Sequence, residues 1–206
     1  IFWSRFKRVD HRFHNANLST ITPLNTLPNP MERQAAIIDK LRRDPQDSWL
    51  LIGPPGNGKT YLMAALYRHA VEDSLRIQLA RNESYESVWW ASTSVLLNDH
   101  VAKEMDIKEA PDPYVTERKI QRVIDRGLRP RLFLDELDKI AVTSFKIRRL
   151  GELVNKVYAA EGQLVVTANK GMDQLSALWT SDEAETILRR IGGDEGAHTL
   201  YVGPRE

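Results

Sequence analysis

The chain has 206 residues, no cysteine, and nearly equal numbers of basic and acidic side chains, 29 against 28. This length fits one domain that buries most of its apolar surface unaided, and the balanced charge excludes a generally polycationic nucleic-acid binder while leaving a local basic patch open. Disulfides, a Cys-zinc site and a thiol nucleophile are excluded, and without a long apolar run or a secretion signal we expect a cytoplasmic protein with no membrane partner.

The first thirty residues predict an arm without regular structure. Residues 1–30 mix aromatic and basic side chains and then run into asparagines and prolines, which favour loops and turns. We expect this arm to pack on the domain, which then spans residues 31–206. A helix is predicted from about Met31 to Arg43, because Pro45 ends it.

Five short apolar runs alternate with helical segments along the rest of the chain. The runs are Trp49–Ile52, Val88–Ala91, Leu132–Leu134, Leu164–Thr167 and Thr199–Val202. Helices are predicted at residues 61–72, 94–105, 114–126 and 182–191, and around an apolar stripe between residues 150 and 158. Strands that alternate with helices form a parallel sheet covered on both faces, so the sequence predicts an α/β fold.

A glycine-rich loop follows the first apolar run and precedes a helix. Residues 53–60 read Gly-Pro-Pro-Gly-Asn-Gly-Lys-Thr, which is the pattern of a phosphate-binding loop. Its glycines let backbone N–H groups face phosphate oxygens, Lys59 would reach the β- and γ-phosphates, and Thr60 would bind Mg²⁺. The residues predicted to bind ATP or ADP are Gly53, Pro54, Pro55, Gly56, Asn57, Gly58, Lys59, Thr60 and Tyr61.

The third apolar run ends in two carboxylates, Asp135 and Glu136. Asp135 is predicted to hold Mg²⁺, directly or through water, and Glu136 to polarise the attacking water as a general base. Taken alone, the pair is equally typical of an acidic strand end that caps the next segment. The phosphate loop about 75 residues earlier favours the catalytic interpretation.

Three further polar residues are candidates for catalysis. Asn169 follows the fourth apolar run, where its amide would orient the attacking water between Glu136 and the γ-phosphate. Arg189 and Arg190 end the last helix, where an arginine can serve as a finger on a neighbouring subunit's γ-phosphate. Each also has an ordinary explanation, since asparagine favours turns and arginine is favoured at helix C-termini.

In their order along the chain, these motifs resemble those of the AAA+ ATPases. Gly53–Thr60 resembles Walker A, Asp135 and Glu136 resemble Walker B, and Asn169 resembles sensor 1. Arg190 best matches the arginine finger because an apolar residue follows it directly, and Arg189 is the alternative.

Other features resemble one branch of that family, the DnaC/DnaI-type helicase loaders and their IstB-type transposition relatives. They are the arm segment Arg12–Leu18, the stretch from Val165 to Leu175, and the short stretch after Arg190. One departure is Walker B, because loaders often carry Asp-Asp and this chain has the general AAA+ form Asp-Glu.

The resemblance implies a three-layer P-loop NTPase fold of the AAA+/ASCE class. It implies five parallel strands in the order 5-1-4-3-2 without a C-terminal helical lid. ATP and Mg²⁺ would bind between subunits of a homo-oligomer, with hydrolysis to ADP and phosphate, although an isolated domain can be monomeric. The implied partners are a replicative helicase and single-stranded DNA.

Two stretches are candidates for DNA contact. In the loaders, an insertion between the second strand and Walker B contacts single-stranded DNA; here that span is residues 93–130, where basic and acidic side chains nearly cancel. Residues 139–149 carry four basic side chains and no acid, so they are candidates to contact DNA phosphates or a neighbour's nucleotide; they are Lys139, Lys146, Arg148 and Arg149. A solvated face is slightly favoured for both stretches.

Other aromatic and histidine residues carry less information. Trp89 and Trp90 are candidates to stack on bases, but core packing is the better interpretation of two adjacent strand residues. The five histidines are not spaced as metal ligands.

Three other functions stay open. The chain is also compatible with an IstB-like helper ATPase that assembles on duplex DNA, with a nucleotide-dependent adaptor switch of little hydrolysis, and with a metabolic P-loop kinase. The arm near Phe13 favours the loader over the transposition helper. Asp-Glu in Walker B disfavours the switch, and Asn169 with the two arginines fits an AAA+ protein better than a kinase.

Overall fold

The computed structural model describes residues 9–25, 30–83, 85–104, 114–192 and 198–203. All five predicted strands are present, within two residues of their expected bounds. They are β1 Trp49–Ile52, β2 Val88–Ser92, β3 Arg131–Asp135, β4 Gln163–Ala168 and β5 His198–Tyr201.

The strands form one parallel sheet in the order β2-β3-β4-β1-β5. This confirms the expected order 5-1-4-3-2, counted from the other edge. Because the strands are parallel, the carboxyl ends of β1, β3 and β4 lie side by side at one edge. The residues that follow these three strands are those singled out for nucleotide chemistry.

Seven α-helices surround the sheet in the described part of the chain. They are α1 Met31–Arg43, α2 Lys59–Arg81, α3 Thr93–Glu104, α4 Tyr114–Asp125, α5 Ser144–Ala159, α6 Met172–Leu178 and α7 Asp182–Gly192. Two short 3-10 turns, His11–Phe13 and Leu137–Lys139, accompany them.

Two of these helices differ from the prediction. Helix α2 continues beyond residue 72 to Arg81 and ends where Asn82 adopts a left-handed conformation with φ of 52°. Its buried residues do not form a single stripe, so periodicity gave a poor estimate of its end. Helix α6 was not predicted, because its seven residues are too few for a clear helical repeat.

Each face of the sheet is covered by its own apolar layer. Trp49 and Leu51 of β1 face the layer formed by the arm, α1 and α2. Leu50 and Ile52 face the layer formed by α3 to α7. The alternation follows from the period of two in a strand, and it confirms the three-layer architecture.

Trp89 and Trp90 follow the same alternation. Trp89 is buried in the layer of α3 to α7, and Trp90 packs against the opposite layer, where its ring meets that of Tyr67 edge to face. These contacts favour core packing over base stacking for both side chains.

The described part of the arm lies against the helices that follow it. The Arg42 guanidinium donates to the carbonyl oxygens of Leu18 and Ile21, both at 2.6 Å. Val9, Ala16, Leu18 and Ile21 are buried in the layer of α1 and α2. Residues 1–8 and 26–29 of the predicted arm lie outside the described residues, and the division at residue 30 stays a prediction.

Candidate nucleotide site

The loop between β1 and α2 has positive φ at Gly53, Gly56 and Gly58, a backbone that favours glycine. Gly58, the residue before α2, has φ of 86°, a left-handed conformation that glycine adopts without strain. A Cβ atom on Gly53 would lie 2.1 Å from the carbonyl oxygen of Val202, just after β5. The loop therefore closes against the end of β5 and leads directly into the N-terminus of α2, where backbone N–H groups favour an anion.

Lys59 is the first residue of α2, and its side chain reaches back into this loop. Its side chain is buried, and its Nζ donates to the carbonyl oxygens of Gly53 at 2.6 Å and Pro54 at 2.8 Å. Burial lowers the pKa of Lys59, and the carboxylates of Asp138, Asp135 and Glu136 oppose this shift. The ammonium group therefore lies between the loop carbonyls and the acidic end of β3.

Oxygen atoms from three elements meet at Asp135. Oδ1 of Asp135 accepts from Thr60 Oγ1 at 3.3 Å and from Thr167 Oγ1 at 2.5 Å. Burial raises the pKa of Asp135, the neighbouring charge of Glu136 adds to this, and the hydrogen bonds from Thr167 and Thr60 oppose it. The hydroxyl of Thr60 and the carboxylate of Asp135 are hard oxygen donors of the kind that Mg²⁺ prefers.

These two donors fit a magnesium ion that is completed by other ligands. The described residues contain no group of three or more His, Asp or Glu side chains able to hold a metal. Magnesium commonly keeps waters and binds through one or two protein ligands together with substrate phosphates. The donor set at Thr60 and Asp135 matches that mode of binding.

The backbone at Glu136 explains how two adjacent acids reach the same place. Neighbouring residues in a strand point to opposite faces, but Glu136 is left-handed, with φ of 58° and ψ of 53°, which ends this alternation. Its N–H donates to Thr167 Oγ1 at 2.9 Å, and its Oε1 accepts from Lys139 Nζ at 2.5 Å. The carboxylate is thereby held at the wall of the cleft.

Asn169 is held beside Glu136 by another carboxylate. Its backbone N–H donates to Asp138 Oδ1 at 2.8 Å, and its Nδ2 lies 3.2 Å from Asp138 Oδ2. Asp138 therefore fixes both the backbone and the side chain of Asn169 at the carboxyl end of β4.

These groups line one cleft at the carboxyl edge of the sheet. The described residues that line it are Phe13, Pro55, Gly56, Gly58, Lys59, Thr60, Tyr61, Glu136, Lys139, Thr167 and Asn169. The structure thus brings together most of the predicted phosphate loop, the predicted base and Asn169, with Asp135 behind Thr60 and Thr167. Asn57 turns away from the cleft and donates from Nδ2 to the carbonyl oxygen of Val202 at 3.2 Å.

Four residues at the site were not predicted for it: Phe13, Asp138, Lys139 and Thr167. Asp138 follows Asp135 by three positions, a spacing that marks a second acid close to the strand end. Thr167 was seen only as a strand residue, and Lys139 was assigned to a basic stretch. Phe13 belongs to the arm, and its ring meets that of Tyr61 edge to face at 6.5 Å between centroids.

An apolar pocket adjoins the loop on the side of the arm. Its walls include Ile37 and Ile38 of α1, Tyr61 and Leu62 of α2, and Val202. The side-chain amide of Gln34, also in its lining, donates to the carbonyl oxygen of Leu24 and accepts from its N–H, both at 2.9 Å. The arm thereby forms one wall of an apolar space next to Gly58, a lining of the kind that a nucleotide base requires.

The two candidate finger arginines lie elsewhere. The Arg190 guanidinium donates to Oδ1 of Asn155 in α5, and its Cζ lies 5.2 Å from the centroid of the Tyr158 ring. Arg189 is exposed on the same helix, α7. Neither belongs to the described lining of the cleft, so the structure does not bring them to the phosphate loop of their own chain.

The basic stretch of residues 139–149 does not form one continuous free surface. Lys139 binds Glu136, and Lys146 Nζ donates to Asn98 Oδ1 at 2.8 Å. The guanidinium of Arg149 donates to Glu152 and to the hydroxyl of Tyr114. Of the four, Lys139 and Arg148 are exposed. In the other candidate stretch, residues 105–113 lie outside the described residues, Lys119 Nζ lies 2.8 Å from Glu86 Oε2, and Arg122 and Arg126 are exposed.

Comparisons with known proteins agree with this geometry. Residues 49–189, more than half of the chain, match the family model described as ATPase family associated with various cellular activities (AAA). None of the curated proteins compared with the chain matches it in sequence. In the described part of the chain, no helix combines the length and the apolar character needed to cross a membrane.

Several solved structures share the fold. The crystal structure of the DnaC helicase loader matches with a TM-score of 0.60 and 21% identity, covering 93% of this chain and 99% of that chain. The DnaI structure matches with a TM-score of 0.61 and 20% identity, covering 93% of each. AMPPCP-bound DnaA from Aquifex aeolicus matches with a TM-score of 0.62 and 15% identity, covering 93% of this chain and 51% of that chain.

Proposed function

Because the chain belongs to the AAA family of ATPases, we propose that it binds ATP and hydrolyses it with water to ADP and phosphate. One observation carries this proposal: Lys59, Thr60, Glu136 and Asn169 line a single cleft that opens on the N-terminus of α2. The first two are suited to hold the phosphates, and the last two to hold water.

Phosphate binding follows from the loop and Lys59. Backbone N–H groups at the start of α2 and the ammonium of Lys59 would bind the β- and γ-phosphate oxygens, and the apolar pocket beside Tyr61 would take the base. Thr60 and Asp135 would hold Mg²⁺, which would neutralise charge on the phosphate oxygens.

Activation of water is assigned to Glu136 and Asn169. Glu136 would accept a proton from the water as it attacks the γ-phosphate in line with the leaving oxygen of ADP. Asn169 would hold that water through its side-chain amide. Lys139 and Asp138 act through these two residues, because each bonds to one of them.

The test of this function is the substitution Glu136→Gln, with Glu185→Gln on the exposed face of α7 as the matched control. We expect Glu136→Gln to keep its affinity for ATP and to lose phosphate release, because the amide cannot accept the proton. ATP affinity and steady-state turnover are measured on the same samples. Turnover that survives in Glu136→Gln removes Glu136 as the base, and a chain that does not bind ATP removes the proposed function.

The finer proposal is a helicase loader that couples ATP binding to a replicative helicase and single-stranded DNA. It is supported by the match to the DnaC helicase loader and DnaI structures over almost their full lengths. The arm also supports this proposal, because its sequence resembles that of the loader arm and its Phe13 lines the cleft. The cytoplasmic location stays a prediction.

The loader proposal is tested by turnover in the presence of DNA and helicase. We expect ATP hydrolysis to respond to single-stranded DNA and ATP to promote co-migration with a replicative helicase. Stimulation by duplex DNA alone would instead indicate the transposition helper. ATP binding without turnover under all conditions would indicate the adaptor switch.

A further inference from the structure

The side-chain amide of Asn169 has a fixed orientation at the carboxyl end of β4. Its Nδ2 lies 3.2 Å from Oδ2 and 3.4 Å from Oδ1 of Asp138, and the same Asp138 Oδ1 accepts from the backbone N–H of Asn169 at 2.8 Å. A carboxylate accepts hydrogen bonds and cannot donate them, so the amide must turn its Nδ2 toward Asp138. The amide oxygen of Asn169 is therefore the end that is left to accept a hydrogen bond from a group in the cleft, which Asn169 lines.

The position of Asp138 is itself set by the turn that follows β3. Glu136 is left-handed, and the next three residues, Leu137–Lys139, form a 3-10 turn whose leucine is fully buried in the core. The N–H of Glu136 donates to the hydroxyl of Thr167 at 2.9 Å, which ties the start of the turn to β4. Asp138 therefore reaches Asn169 from an element that is held in place on both sides.

Glu136 and Asn169 then present two hydrogen-bond acceptors to one cleft. Both line it together with Lys59 and Thr60, which are suited to hold the phosphates. A water that donates one hydrogen to the Glu136 carboxylate and the other to the amide oxygen of Asn169 has only its lone pairs left to face the γ-phosphorus. Attack on phosphorus depends on this orientation of the water oxygen.

The charge of Asp138 also acts on the lysine of the phosphate loop. Among the three carboxylates that oppose the lowering of the pKa of Lys59, Asp138 has the largest effect. A negative charge at this distance repels an anionic nucleotide, so removing it should not weaken ATP binding. Loss of the contacts between Asp138 and Asn169 should instead affect the step that follows binding. Binding and turnover can therefore be separated at this residue.

We propose that Asp138 is a positioning residue that holds the Asn169 amide so that its oxygen, and not its nitrogen, binds the attacking water. The proposal rests on the proposed hydrolysis of ATP and names the atom that holds the water. The water oxygen bonds to the γ-phosphorus as the bond between that phosphorus and the ADP oxygen breaks. Glu136 takes up one hydrogen of the water as a proton, and the other, bonded to the amide oxygen of Asn169, leaves with the phosphate.

The test exchanges the two side chains in the full chain. In Asp138→Asn, the new amide can donate to Asn169, whose own amide then turns its nitrogen toward the water. In Asn169→Asp, two carboxylates meet and repel each other. In the double variant Asp138→Asn/Asn169→Asp, an amide again faces a carboxylate, and an oxygen at position 169 again accepts from the water. Asp182→Asn, at the exposed start of α7, is the matched control.

ATP affinity, kcat and melting temperature are measured under conditions in which the wild-type chain turns over. We expect Asp138→Asn to lower kcat about 100-fold, the loss typical of a misplaced reacting group, while ATP binds as tightly as before or more tightly. Asn169→Asp should lose at least as much activity. The double variant should recover about tenfold or more over either single variant, because both acceptors of the water are restored. Asp182→Asn should match the wild-type chain.

A double-mutant cycle gives a second measurement that does not depend on the exchange. Asp138→Ala is compared in the wild-type chain and in Asn169→Ala. Because Asp138 acts through Asn169, we expect its replacement to lower kcat about 100-fold in the wild-type chain and less than about threefold once Asn169 is gone. Losses that multiply would show that the two residues act independently and would overturn the proposal.

The proposal is also overturned if the exchange variant is no more active than the better single variant, because Asn169 then acts by donating its nitrogen to the γ-phosphate. The same holds if Asp138→Asn keeps the wild-type kcat, or if it loses ATP affinity and melting temperature together with kcat. A wild-type chain that does not bind ATP or never turns over removes the proposed function itself, and this is recognised before any variant is compared.

Discussion

Lys59 is a charged side chain that the fold buries at a cost. The lowered pKa of Lys59 means that folding disfavours its charged form, while its two hydrogen bonds to loop carbonyls stabilise it. An uncharged side chain of similar length would avoid the cost of burying a charge and would also lose the two stabilising hydrogen bonds. Burial of Lys59 therefore contributes little to stability, which fits the phosphate-binding role proposed for it.

We predict that Lys59→Met lowers ATP affinity about 10- to 100-fold, since charge-assisted hydrogen bonds contribute about 1.5–3 kcal/mol each. The melting temperature without nucleotide should stay nearly unchanged, because the lost hydrogen bonds and the removed cost of burial offset each other. Calorimetric titration and thermal melting measure the two quantities. A variant that melts much earlier but binds ATP normally would contradict this account.

The raised pKa of Asp135 leads to a prediction about how the stability of the chain depends on pH. Burial and the charge of Glu136 raise its pKa above the ordinary 3.8, so the folded chain takes up this proton at a higher pH than the unfolded chain does. At neutral pH the ionised carboxylate therefore costs stability. The cost disappears as the pH falls through the folded-state pKa.

We predict that Asp135→Asn raises the melting temperature at neutral pH while abolishing magnesium-dependent turnover. The gain in melting temperature should shrink as the pH is lowered, because wild-type Asp135 is then protonated as well. Melting curves of both proteins across the acid range measure this difference. A gain that is constant with pH would show that the burial of charge is not its cause.

At the scale of elements, the phosphate loop is held in place by contacts with the end of β5. Val202 N–H donates to the carbonyl oxygen of Ile52 at 2.6 Å, and Asn57 donates to the carbonyl oxygen of Val202. Ile52, just before the loop, and Asn57, within it, are thus both hydrogen-bonded to Val202, which directly follows β5. The loop depends on this element for its shape.

We predict that Gly53→Ala lowers the free energy of unfolding by about 1–3 kcal/mol or more and weakens ATP binding, because the new methyl group meets backbone and not a movable side chain. Gly171→Ala is the matched control, since its Cβ has open space and its φ of −67° suits any residue. Urea unfolding and ATP titration of both variants provide the comparison. Equal effects in the two variants would dismiss the close approach to Val202 as the cause.

Features that depend on local sequence could be predicted, whereas features that depend on tertiary contacts could not. The strands, the phosphate loop and the acidic strand end follow from local patterns, and the strand order follows from family resemblance. The sequence did not predict the roles of Asp138, Lys139 and Thr167. These roles depend on the left-handed turn at Glu136, and no residue type in the sequence indicates such a turn. The Arg190 contact with Asn155 likewise depends on how α5 and α7 pack.

At the scale of the whole molecule, the cleft of one chain lacks a nearby arginine among its described lining. Arg190 lies on α7, where its guanidinium contacts Asn155 and Tyr158. An arginine finger on the γ-phosphate would therefore come from a neighbouring chain. On the proposed function, hydrolysis would then depend on an assembly of chains.

We predict that Arg190→Ala keeps its ATP affinity and loses turnover by about 10³-fold or more, the effect typical of a missing finger. Mixing Arg190→Ala with Glu136→Gln should restore part of the activity, because some interfaces then combine an intact Glu136 with an intact Arg190. Turnover per chain should rise with protein concentration. Arg189→Ala is measured beside it, and a mixture without recovery would exclude the shared site.

The position of β5 has a consequence for how the chain is made. β5 pairs with β1, yet it follows β1 by about 150 residues in sequence. At a synthesis rate of about 5–20 residues per second, roughly 7 to 30 s separate the two strands as they leave the ribosome. Both edges of β1 are unpaired until β4 emerges, and the edge that meets β5 stays open longer as a template for wrong pairing. Until β5 is made, the loop also lacks the backbone of Val202 against which Gly53 closes. If the chain binds a nucleotide as proposed, the loop that would hold it takes this shape only after β5 has been made, so the nucleotide would bind the finished sheet and not guide its assembly.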